Sequence, residues 1–90
     1  MDNKQAVVYR SHFRKVVGTV PVLIASTGGR WALVMQNEGP ADVYVGMSGL
    51  TVSNGMLLAS ANSLADNYSK DNWWAVAASS SGTVSGFELV

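Results

Sequence analysis

The chain has 90 residues, which is enough for one domain. It contains no cysteine and only one histidine, His12, which excludes disulfides and metal sites rich in cysteine or histidine. Its 48% apolar and 13% charged residues exclude a disordered tail, and its formal net charge of 0 excludes a global field that would attract nucleic acid. So few charges beside three tryptophans predict that part of the surface is covered in an assembly.

The N-terminal 18 residues are basic, with four cations and one anion, whereas the remainder has two cations and five anions. We therefore predict an extended arm over residues 1–18, with a possible short strand at residues 6–9, and a single domain over residues 19–90. The arm has three interpretations. It contacts protein through Arg10, Phe13, Arg14 and Lys15, it is solvated, or it binds phosphates, for which three net charges are few. Contact with protein is favoured.

Short runs rich in Val, Ile, Thr and aromatic residues alternate with Gly, Asn, Ser and Pro clusters, which is typical of an all-β chain. Strands are predicted at 16–24, 31–36, 42–46, 56–58, 66–68, 73–78 and 83–89. Residues 59–64 are predicted to form a helical turn or a loop. Pro21 marks an edge strand or a break, and the turn at 37–41 joins its neighbours into a hairpin. Seven to eight short strands predict an antiparallel β-sandwich, either a jelly roll or an immunoglobulin-like sandwich.

The residues with chemical potential do not form a catalytic set. His12 has no evident partner, and Asp66 and Asp71 lie five apart around a turn, which favours turn capping over paired-carboxylate catalysis or a weak calcium site. We expect no enzyme activity, no cofactor, no metal and no small-molecule substrate. The polar start and the short apolar runs predict neither a secretion signal nor a membrane span.

Two adjacent tryptophans, Trp73 and Trp74, must point to opposite faces of a strand. One therefore enters the core. The other lies in a contact between subunits, is exposed without function, or forms a platform for a ligand together with Trp31.

The order of segments resembles small bacteriophage virion proteins of the β-sandwich head decoration (cement) or head-fibre type. The resemblance covers roughly residues 20–90. Its motifs are Arg30-x-x-Leu33-x-Met35-Gln36-Asn37, Val43-Tyr44-Val45-Gly46, Thr51-Val52-Ser53-Asn54-Gly55, Ala75-Val76-Ala77, Gly82-Thr83-Val84 and Glu88-Leu89.

Several of these residues have a predicted role in the fold. Asn37 is expected to bond the turn that follows it, as Asn54 does in its Asn-Gly turn, and Gly46 and Gly55 are expected to adopt positive φ. Arg30 begins the strand of the motif. Leu33, Met35, Val43 and Val45 are expected to form an inward face.

The resemblance implies a non-enzymatic structural protein of the virion, located on the outer head surface and assembled in the host cytoplasm. The expected partner is the major capsid protein, which the arm would contact, and a homotrimer is expected with Trp73 or Trp74 at its interface. Nucleic acid and membranes are not expected partners. The alternatives are a neck, tail or head-fibre attachment component and a carbohydrate-binding module that adheres to the host.

Overall fold

The computed structural model describes residues 10–26, 32–66 and 72–89, which form eight strands and no helix. The strands are β1 (Arg10–Val17), β2 (Val22–Ala25), β3 (Ala32–Pro40), β4 (Val43–Gly46), β5 (Met56–Leu58), β6 (Ser63–Asp66), β7 (Trp73–Ala77) and β8 (Gly82–Leu89). They build two four-stranded antiparallel sheets. Sheet 1 has the order β1-β8-β3-β6 and sheet 2 the order β2-β7-β4-β5. The predicted antiparallel β-sandwich is confirmed.

The strand order distinguishes between the two sandwiches that the sequence left open. Each strand of the first half pairs with its counterpart counted from the other end: β1 with β8, β2 with β7, β3 with β6, and β4 with β5. This nested pairing is that of a long hairpin rolled into two sheets, the jelly roll. An immunoglobulin-like sandwich divides its strands differently.

Alternate residues of both sheets form the core, as the two-residue period of a strand requires. The four predicted inward residues, Leu33 and Met35 in sheet 1 and Val43 and Val45 in sheet 2, are all at most 1% exposed. Burying one such side chain contributes about 1.5–3 kcal/mol. The inward face predicted from the motif is therefore confirmed.

The first strand differs from the prediction of an arm over residues 1–18. Arg10–Val17 pairs residue by residue with β8, Val17 is fully buried, and Phe13 packs against the core. The sandwich therefore begins at Arg10 and not at residue 19. Charged side chains interleave with the inward Phe13 and Val17 on this edge strand, so the basic composition did not identify an arm. The possible strand at residues 6–9 lies outside the described residues.

Three further predictions about connections have mixed outcomes. The segment 16–24 breaks around Pro21, and β2 is an edge strand, as expected. The hairpin at 31–46 is wrong, because β3 belongs to sheet 1 and β4 to sheet 2. The strand extends through Pro40 with a bulge between Asn37 and Gly39, and the chain then crosses between sheets. Strand β6 begins at Ser63, where a loop or helical turn was predicted.

The strand ends define two ends of the sandwich. At one end the connections are short: residues 18–21, 41–42, 59–62 and 78–81. At the other, which we call the loop end, the chain enters or leaves at Arg10, Ala25, Ala32, Gly46, Met56, Asp66, Trp73 and Leu89. The longer connection 47–55, between β4 and β5, lies at the loop end.

Candidate interaction surface

Charge is segregated between the two sheets. Every residue in the strands of sheet 2 is aliphatic, aromatic, methionine or glycine. The charged residues found in strands all belong to sheet 1: Arg10, Arg14, Lys15, Glu38, Asp66 and Glu88. The jelly-roll winding collects β2, β4, β5 and β7, the four strands without a charged residue, into one sheet.

The face of sheet 2 that points away from the core is apolar too. Trp74 lies between Leu23 and Gly46, and Tyr44 lies between Val76 and Leu57, in the registers of the four strands. We call Leu23, Tyr44, Leu57, Trp74 and Val76 the outer face. An antiparallel sandwich normally turns a polar face to water. On this face Val76 is 2% exposed, Leu23, Tyr44 and Trp74 are half-buried, and Leu57 is exposed.

Sequence reasoning missed most of the outer face, although a signal for it is present. Residues 73–78 are apolar on both sides of the strand, and no charged residue occurs between Asp42 and Asp66. The strand order was needed to place Leu23, Tyr44 and Leu57 beside Trp74.

The two adjacent tryptophans point to opposite faces, as predicted. Trp73 is 7% exposed and belongs to the core. Trp74 is half-buried on the outer face. Both indole Nε1 atoms are buried and have no acceptor within the described structure. A buried hydrogen-bond donor without an acceptor destabilises the fold by about 1–3 kcal/mol. Each tryptophan therefore places one unfavourable polar group in an otherwise apolar sheet.

A second apolar region surrounds the edge strand β5. Four of the six large hydrophobic side chains that are exposed among the described residues lie here: Met47, Val52, Met56 and Leu57. We call these four the β5 patch. Two cavities flank Met56. One, of about 430 Å³, is lined mainly by residues 45–50 with Asn54, Met56 and Trp73, and the other, of about 310 Å³, by residues 56–58 and 62–64.

The four residues predicted to contact the capsid have different positions in β1. The guanidinium of Arg14 donates to the Glu38 carboxylate at 2.7 Å, and Lys15 is exposed. Phe13 is half-buried and packs against the core, and its contact with a partner stays a prediction. Arg10 opens the strand opposite Leu89, and its side chain is outside the described atoms. Arg30 also lies outside the described residues.

The environment of Glu38 favours its ionised form. A hydrogen bond from the Ser85 hydroxyl is the main cause that lowers the pKa of this carboxyl. Desolvation opposes it, and the charge and hydrogen bond of Arg14 lower the pKa further. The pair sits on the outward side of sheet 1, so its solvent-screened contribution to stability is small.

Asn37 performs the role predicted for it and one more. Its side chain accepts from the backbone N–H of Gly39 at 2.8 Å and donates to the carbonyl of Ala41 at 2.9 Å, which fixes the turn after β3. It also donates to the carbonyl of Leu58 at 2.9 Å. Because Asn37 is 0% exposed, this last bond ties sheet 1 to β5 through the interior.

The turn at Asn54-Gly55 is held by its side chain, but the glycines act differently from the prediction. Asn54 accepts from the N–H of Thr51 at 2.7 Å. Neither Gly46 nor Gly55 has a positive φ, so that prediction is wrong. A Cβ on Gly55 would lie 2.6 Å from Leu50 Cδ1, and one on Gly46 would lie 3.0 Å from the same atom. Both glycines make room for Leu50.

The described residues hold no group of three or more acidic or histidine side chains placed to bind a metal. His12 lies beside Phe87 with ring centroids 6.2 Å apart. No helix that could cross a membrane occurs in the described segments. The apolar surface regions among the described residues are the outer face of sheet 2 and the β5 patch.

Comparison with known proteins found no matching family model, no similar curated protein and no similar solved structure.

Proposed function

We propose that this chain is a non-enzymatic structural protein of a bacteriophage virion, which decorates the outer head surface by binding the major capsid protein. The observation that carries this proposal is the charge segregation: sheet 2 is apolar on both faces, and the strands of sheet 1 carry the charges. Such a domain has one side for water and one for a protein surface. The motif resemblance supplies the kind of assembly.

Decoration needs no chemistry, only binding energy. Each copy that binds the closed shell and not its separated subunits stabilises the shell by RT ln(1 + [L]/Kd), about 2.7 kcal/mol when the free chain is at 100 times its Kd. The outer face suits this task because its rigid aromatic residues, Trp74 and Tyr44, lose little conformational entropy when they are covered. The exposed Lys15 and the Arg14–Glu38 pair lie on the other sheet, where they keep the bound copy hydrated.

The test uses heads assembled from the genome that encodes this chain but lacking the chain itself. Purified wild type, Trp74→Ala and a control, Val20→Ala, are added, and bound copies are counted after sedimentation. Val20 is 74% exposed and lies in the short connection after β1, away from the outer face. We expect wild type and the control to saturate the heads, with Trp74→Ala binding at least tenfold more weakly, the effect of losing about 1.4 kcal/mol.

Circular dichroism of each variant confirms that the fold is retained. Wild-type failure to bind heads would reject the proposal, and equal binding by Trp74→Ala would reject the outer face as the contact. The copy number separates head decoration, with copies in proportion to the capsid subunits, from a neck, tail or fibre component that binds one special vertex.

One observation favours carbohydrate binding as a second candidate. The outward side of sheet 1 has a groove of about 340 Å³ whose lining includes Phe87 and His12 beside Gln36 and Ser85. An aromatic ring flanked by hydrogen-bonding side chains suits a sugar. Saturable glycan binding that Gln36→Ala abolishes and Trp74→Ala does not would favour this candidate.

A further inference from the structure

Strand β5 is the one edge among the described strands that carries no charge, proline or bulge, so its only protection is its short length of three residues. Edge strands of natural proteins usually bear charges, proline or a bulge that prevents pairing with another chain. Strand β1 has Arg14 and Lys15, β2 follows Pro21 and has a bulge, and β6 ends at Asp66. Strand β5 (Met56–Leu58) has none of these and pairs only with β4 in the described structure.

The side chains around β5 are apolar and exposed, and they border cavities that an added strand could fill. Met56 is 48% exposed and Leu57 is 53% exposed. Large apolar side chains that are exposed on an edge strand promote association with another chain. Met56 lines both of the cavities described above, and neither cavity has a charged residue in its lining. An added strand would bring side chains to these cavities at every second position.

We propose that residues 6–9 of a second copy of this chain add to β5 as a fifth strand of sheet 2. Their sequence, Ala-Val-Val-Tyr, is rich in β-branched and aromatic residues and bears no charge. Its four residues are enough to pair along the three residues of β5. Residues of one parity enter the cavities beside Met56, and residues of the other parity extend the outer face next to Leu57.

Covalent geometry excludes the same pairing within one chain. Residue 9 is bonded to Arg10, which starts β1, and β1 and β5 lie at opposite edges of different sheets. Three strand spacings separate these edges by about 14 Å, and the sheets are about 10 Å apart. Four residues reach at most about 14 Å, so none of them could lie along β5 of its own chain.

The exchange also fits the positions of the two strands involved. Arg10, the first residue of β1, and Met56, the first residue of β5, both lie at the loop end. Each copy donates one segment and accepts another at a different surface, which makes the contact head-to-tail. Head-to-tail contacts form a ring when the rotation closes, and a ring of three is the homotrimer expected from the resemblance.

The first test measures solution mass by light scattering on the purified full chain, a chain lacking residues 1–9, Val8→Asp and a control, Val20→Asp. We expect an oligomer for wild type and the control, a monomer for the truncated chain, and self-association about thirtyfold weaker for Val8→Asp, as for loss of one hot-spot side chain. A monomeric wild type, or an oligomer that survives truncation, would overturn the proposal. Circular dichroism verifies that each variant is folded.

The second test identifies the acceptor and uses the absence of natural cysteine. Chains with Val7→Cys or Val8→Cys are mixed under oxidising conditions with chains carrying Met56→Cys or, as a control, Val20→Cys. Disulfide-linked heterodimers with Met56→Cys, well above the control, are expected. Equal crosslinking to both acceptors would overturn β5 as the site. Neither test requires a capsid, so the exchange can fail while the proposed function stands, and the reverse.

Discussion

Replacing Asn37 with alanine tests whether one buried side chain joins the two sheets. The amide group makes three hydrogen bonds, to the backbone of Gly39, Ala41 and Leu58, at 2.8–2.9 Å. Asn37 is 0% exposed, and its bonds to Gly39 and Leu58 are buried, whereas the bond to Ala41 is part-buried. The substitution therefore leaves one N–H and two carbonyl groups without their partner.

The expected cost follows from these groups. A hydrogen bond to a buried partner is worth about 1 kcal/mol net, and an unsatisfied buried group costs about 1–3 kcal/mol. Three such groups give a loss of about 3–5 kcal/mol, after allowing for partial relaxation of the turn. A domain of this length has a total stability on the order of 5–13 kcal/mol. The variant should therefore lose a large fraction of its stability and remain marginally folded.

Urea and thermal denaturation followed by circular dichroism measure the loss. At about 4–8 °C per kcal/mol for a domain of this size, a loss of 3 kcal/mol lowers Tm by about 12–24 °C. The matched control is Asn54→Ala, since Asn54 also holds a turn but is exposed. Its loss should be about 1 kcal/mol or less. A loss below about 1 kcal/mol for Asn37→Ala would refute the assignment of Asn37 as the tie between sheets.

Substituting Asn37→Asp tests the direction of the same hydrogen bonds. The new oxygen replaces a donor and faces the carbonyls of Ala41 and Leu58, so the ionised form is repelled. Burial also raises the pKa of the introduced carboxyl above its unfolded value. Its protonated form donates one hydrogen bond. The variant should therefore be least stable at neutral pH and regain stability relative to wild type as pH falls, and denaturation at several pH values measures the difference. A pH-independent difference would contradict this geometry.

Further predictions concern sheet 1. Gly86→Ala should destabilise the chain by about 2 kcal/mol or more, because the new methyl group would collide with the backbone carbonyl of Val34 and lie 2.8 Å from Phe13 Cζ; urea denaturation checks this. The hydrogen bond from Ser85 lowers the pKa of Glu38 below its ordinary value of 4.5, so the associated stability is present above that value and is lost as pH falls through the lowered pKa. A Glu38→Gln variant should therefore show a weaker loss of stability in acid than wild type, measured by thermal unfolding between neutral and acidic pH.

The sequence predicted the parts of the fold that local pattern controls. Alternation identified the inward residues Leu33 and Val43, and turn chemistry identified Asn37 and Asn54. Whether the two strands within 31–46 pair with each other could not be predicted from the sequence of that segment alone. A short turn can join strands of one sheet or cross between two sheets, and the choice depends on β8, which pairs with β3 from far along the chain.

The candidate site shows the same limit. The outward position of Trp74 follows from its being adjacent to Trp73, which any strand enforces. That Trp74 lies among apolar residues from three other strands depends on the nesting of the strands, which sequence spacing does not encode. The basic character of β1 was misleading for a related reason. Charges on an edge strand protect that edge, so they mark a border of the sandwich and not a separate arm.

Salt dependence distinguishes the apolar outer face from basic residues as the contact with a capsid. Binding carried by Arg14 and Lys15 would weaken between about 0.05 and 0.5 M salt, because the Debye length falls from about 14 to about 4 Å. Binding carried by Trp74 and its neighbours would be unchanged or slightly stronger, since apolar burial does not depend on screening. The measurement is sedimentation of the chain with heads at both salt concentrations. A steep loss of bound copies at high salt would move the contact from sheet 2 to β1 and would remove the outer face as the basis of the proposed function.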